Sequence, residues 1–154
     1  MPYENESPLS HKRRCFGYGQ YIYPGGLTAV LAKELTREAI LDALRRGRCY
    51  ATTGPRFLLE FTVDGQQMGS ELRVKKGHVA EIYGSLGAAT DWLRVEIVGP
   101  AGPVAVLTPE PGEADVVDLE ARTEPIDAPV WYYLRGVTET GDMAWSSPVH
   151  VVPE

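Results

Sequence analysis

A chain of 154 residues is long enough to bury a core without staples, and its two cysteines, Cys15 and Cys49, fit neither a zinc-site spacing nor a disulfide framework. The formal charge of -6 is uneven: residues 1–56 carry nine Lys/Arg and five Asp/Glu, giving +4, while residues 57–154 carry six and sixteen, giving -10, so the larger part repels phosphate and argues against a nucleic-acid binder. No apolar run approaches the ~18 residues of a membrane span, and the N-terminus lacks the apolar stretch of a signal peptide; no membrane partner is expected, and a cytoplasmic location is the default.

Residues 1–34 interleave Gly17, Gly19, Pro24, Gly25 and Gly26 with Tyr18, Tyr21, Ile22 and Tyr23. That mix breaks regular structure yet carries apolar surface, so the arm is expected to pack on the rest of the chain, on a second subunit or on another domain. Its basic run, His11 to Arg14, reads as a solvated or partner-contacting loop. Leu27 to Leu31 has the composition of a short buried strand.

A helix follows. Thr36 is a suitable N-cap, Leu35 can staple onto Ile40, Glu38 and the pair Arg45 and Arg46 match the helix dipole, and Gly47 supplies the left-handed stop. Ala39, Ile40, Ala43 and Leu44 share one face. At about three turns the helix needs that face covered.

After a connecting segment through Pro55, residues 57–63 alternate as a half-buried strand, and Asp64-Gly65 marks a hairpin turn. Further strands are predicted over 77–86, 93–98, 104–107, 116–121, 130–138 and 143–152. About seven short strands with such spacing predict a mainly β protein: an immunoglobulin/fibronectin III-like antiparallel β-sandwich preceded by a loop-rich arm and one short α-helix. The division expected is 1–54 for arm and helix and 55–154 for the sandwich. Inward candidates are Phe57, Leu59, Phe61, Ile82, Val95, Ile97, Leu119, Tyr132 and Leu134.

Chemistry is sparse. His11, His78 and His150 are isolated from one another and from any metal-ligand spacing. The chain has no nucleophile elbow and no glycine-rich phosphate loop, so the sequence names no catalytic residue and no nucleotide cofactor. Trp131 and Tyr133 project from the same side of their strand, opposite Tyr132. They either pack against the helix or an edge loop, or form a stacking platform for a sugar or protein ligand.

The stretch LTREAILDALRRGRCYATTGPRFLLEFTVDGQQMGSEL and the later YYLRGVTETGDMAWSSPVHV resemble the C-terminal part of PHP-domain (polymerase and histidinol phosphatase-like) metallohydrolases of the CehA/McbA-like branch. The resemblance runs from about Gly26 to the end, with diverged middle strands. Its marks are the hairpin motif ending in Met68-Gly69 and the Trp145-Ser146-Ser147-Pro148 motif. It implies a β-sandwich that follows a metal-binding barrel, nearly all of which this sequence lacks. Where the family's last metal motif resembles Ser-Asp-x-His, this chain has Pro8-Leu9-Ser10-His11: His11 stands at the terminal ligand and Leu9 replaces the Asp. The resemblance therefore implies a non-catalytic accessory module, with no cofactor of its own and a divalent metal only if a barrel partner is present. The partners it points to are a second copy, giving a homodimer, or a separately encoded PHP barrel whose site His11 would complete in trans.

Overall fold

The computed structural model describes residues 25–112 and 114–154. Among these it places one helix, α1 (Arg37–Arg45), and twelve strands: β1 (Leu27–Val30), β2 (Cys49–Thr52), β3 (Leu58–Val63), β4 (Gln66–Gln67), β5 (Glu71–Val74), β6 (Glu81–Gly87), β7 (Trp92–Gly99), β8 (Gly102–Leu107), β9 (Val116–Arg122), β10 (Val130–Thr138), β11 (Met143–Ser146) and β12 (Val149–Pro153). The mainly β fold with one short helix is as the alternating pattern predicts.

Four strands form one sheet, in the order β4-β3-β6-β9. The other sheet has eight, running β1-β2-β11-β10-β12-β5, with β7 on the remaining edge of β10 and β8 beyond it. All pairings are antiparallel except that of β5 with β12. The chain passes between the sheets several times, and one crossing follows the β3–β4 hairpin directly, where β4 leads into β5. Because β2 pairs with β11, the larger sheet runs without a break across residue 54.

The core lies between the sheets. Phe61, Val63, Ile82, Leu86, Val95, Ile97 and Leu134 are buried there, and Trp92 packs its ring 4.9 Å from that of Phe57. Every inward candidate is buried except Leu119, which is half-buried against the same cluster. Two strand glycines make room for this packing: a Cβ on Gly136 would meet Leu86 at 2.6 Å and Trp92 at 2.7 Å, and one on Gly84 would meet Leu134 at 2.8 Å.

Three local expectations change. The strand expected over 143–152 is two strands, because Ser147-Pro148 interrupts it. Leu35 stands 94% exposed and so makes no staple, although Thr36 does cap α1 by accepting from the Ala39 N–H at 3.3 Å. β1 is a strand as expected, but Leu27 is exposed and the strand is not a buried one.

Candidate functional site

The motifs behind the family resemblance meet at one joint. Asp64 and Gly65 both take positive φ, 47° and 74°, the geometry of a tight two-residue hairpin. Asp64 braces the turn, accepting the Glu81 N–H at 2.8 Å and lying 2.6 Å from His78 Nε2. Met68 is buried, and Gly69 (φ 85°) lies flat against the end of α1, where a Cβ would fall 2.3 Å from the Arg46 carbonyl oxygen and 2.4 Å from the Gly47 carbonyl carbon. The Gly69 N–H donates to the Pro148 carbonyl at 2.9 Å.

The second motif is where one edge of β10 is handed from β11 to β12. Arg135 faces Trp145 and Tyr132 faces Val149, so three steps on β10 match four on the opposite strand. The extra residue makes a β-bulge. Ser146 repairs the interrupted ladder, its Oγ accepting the buried Leu134 N–H at 2.9 Å, and Ser147 donates its hydroxyl to the Cys49 carbonyl at 2.7 Å. Both motifs therefore fasten helix, hairpin and sheet together, with Asp64, Gly69, Ser146 and Ser147 each bonded to backbone.

Among the described residues, two faces beside this joint remain open. At the first, β1 is the edge of the larger sheet among the described residues, and Leu27, Leu31, Leu41 and Leu44 are each 37–44% exposed there or on α1, in addition to Leu35. Of the predicted helix stripe only Ala43 is fully buried; Ala39 and Ile40 are half-buried and Leu44 is exposed.

The second face is the outside of β10. Trp131 and Tyr133 are brought together as predicted, with ring centroids 5.8 Å apart and planes at 28°, while Tyr132 points into the core, where burial raises its hydroxyl pKa. The sequence reading missed Trp145, Pro148 and His150, which line the same shallow depression. A proline inside a predicted strand was the signal: the bulge it creates resets the register. Further along this face Glu96 is buried beneath two arginines, its carboxylate accepting from Arg135 Nε at 2.5 Å and from Arg94. Burial alone would raise its pKa, but the hydrogen bonds and charges of Arg135 and Arg94 outweigh this and hold the carboxyl below the usual range.

The metals implied by the resemblance find no ligand set here. Among the described residues no group of three or more His, Cys, Asp or Glu is placed to hold an ion. His11 lies outside the described residues. No helix among the described residues is long and apolar enough to cross a membrane.

Fold and joint define an antiparallel β-sandwich with a helix-bearing extension at one sheet edge. The chain belongs to the family described as "Protein of unknown function (DUF3604)", whose model matches residues 4–85 and so includes the hairpin half of the joint. It is 38% identical over 149 residues to an uncharacterized protein of Chlamydia pneumoniae and 34% identical over 149 residues to uncharacterized proteins of Chlamydia trachomatis and Chlamydia muridarum. Each match covers 88% of this chain and 24% of the relative, so the chain spans about a quarter of the length of these relatives.

Proposed function

We propose that this chain is a non-catalytic accessory β-sandwich module derived from a PHP-type metal-dependent hydrolase, and that the face made by β1 and α1 docks it onto the larger, metal-binding part of such an enzyme. The observation that carries the reading is the set of exposed leucines, Leu27, Leu31, Leu35, Leu41 and Leu44, spread over the edge strand β1, α1 and the link between them. Leucines scattered singly on a surface need no explanation, but five exposed ones within residues 27–44, on an edge strand, a short helix and the link between them, call for a cover. The chain's match to about a quarter of its relatives' length supports a larger intramolecular partner in those proteins, and the PHP resemblance gives that partner its chemistry. Any divalent metal then belongs to the barrel, and the sandwich contributes shape and stability.

The test is association. A separately produced PHP barrel of this branch, titrated with the chain in an isothermal calorimeter, is expected to bind it. Leu35→Asp and Leu44→Asp should each abolish the heat without altering the chain's own melting. A chain that sediments as a strict monomer and binds no such barrel refutes the docking face.

A further inference from the structure

The outer face of β10 carries aromatic rings that the joint does not use. Trp131 and Tyr133 stack on one another, and Trp145 stands across the ladder from Arg135. Pro148 and His150 complete a depression that is open to solvent and mostly apolar. Trp131 is 36% exposed. Large rings normally serve a core, and several left together on a solvated face keep flat surface free for stacking.

Polar groups stand at both ends of this strip. His150 lies opposite Trp131 on one side and opposite Glu71 on the other. Arg135 marks the far end, already paired with Glu96. From Trp131 to Arg135 the strand advances about 13 Å at roughly 3.3 Å per residue, the scale of a short oligosaccharide.

We infer that this face binds a neutral oligosaccharide, laid along β10 with its C–H groups on Trp145 and on the ring surface that the Trp131–Tyr133 stack leaves free, and its hydroxyls reaching His150 and Arg135. A pyranose ring has an apolar face and a rim of hydroxyls, and it keeps its outer side hydrated while the inner side stacks. An open depression is sufficient for it, whereas an apolar small molecule needs enclosure. Long-range charge favours a neutral ligand: residues 57–154 carry a net -10, which repels an anionic glycan, and the Arg135 guanidinium at the end of the strip is already engaged with Glu96. A proline-rich peptide also uses flat aromatic rings, but it docks in grooves between them; here Trp131 and Tyr133 are stacked on one another, which leaves no groove between these two rings.

The inference is independent of the docking face and is tested with the full chain. Cellohexaose, maltohexaose and chitohexaose are titrated against it by calorimetry and indole fluorescence, with dextran sulfate and a proline-rich peptide run in parallel. At least one neutral hexasaccharide is expected to bind, with affinity reduced about tenfold or more by Trp131→Ala and largely kept by Trp131→Phe. Should Trp131→Ala melt early, Trp145→Ala and His150→Ala carry the same comparison. The inference is overturned if none of the three sugars binds, if binding ignores these substitutions, or if the peptide or the sulfated polymer is preferred.

Discussion

Gly69 has no freedom to become anything else. Any side chain there collides with the backbone of Arg46 and Gly47, which has no rotamer to yield, and must also sit at φ 85°. Gly69→Ala should lower stability by about 2–5 kcal/mol in urea denaturation, whereas Gly84→Ala meets only the tip of Leu134 and should cost about 1–3 kcal/mol. Glu96 makes a pH prediction. Its folded pKa lies below the unfolded value, so its pairing contributes fully above the unfolded pKa of about 4.3 and is lost as pH falls through the lower folded value. Urea midpoints measured from about pH 6 to about pH 3 should fall less steeply for Glu96→Gln than for the parent chain. Gly69 was visible in the sequence as part of a motif, but its reason was not: the contact is with a helix end that only the fold brings alongside.

Elements differ in how far the sequence disclosed them. Strand β10 spans the predicted 130–138, because alternation and its flanking turn residues are both strong, and α1 begins at the Thr36 cap and ends before Gly47. Strands β2 and β5 were missed, being four residues each and defined by partners far along the chain rather than by their own pattern. The split between β11 and β12 follows from Ser147-Pro148, since proline offers no N–H to the ladder. Ser146→Ala leaves the buried Leu134 amide without its acceptor and should cost about 1–3 kcal/mol, with faster hydrogen exchange at that amide as the specific sign. Thr36→Ala, at an exposed cap, should cost about 1 kcal/mol.

At the scale of the whole molecule, the sandwich was legible because two sheets need alternating strands, and its partners were not, because an exposed leucine looks the same in sequence as a buried one. The aromatic face shows the same limit: Trp131 and Tyr133 were identifiable by alternation, while Trp145 and His150 reached them only through the bulge. Leu35→Asp combined with Leu44→Asp should leave urea stability within about 0.5 kcal/mol, as for other surface changes, while reducing any concentration-dependent association seen by light scattering. That separation of stability from association distinguishes a docking face from a poorly packed core.

The ladder that joins β2 to β11 and β5 to β12 also bears on how fast this protein can form. Ser147 is bonded to Cys49, a partner 98 positions away in sequence, and β5 pairs in its sheet with β12, a strand that follows it far along the chain. Loops of that length must close before their contacts contribute, so refolding from denaturant should run in the millisecond-to-second range of non-local β proteins. During that interval the half-built sheet exposes unpaired edges, and dilute conditions should give the higher yield.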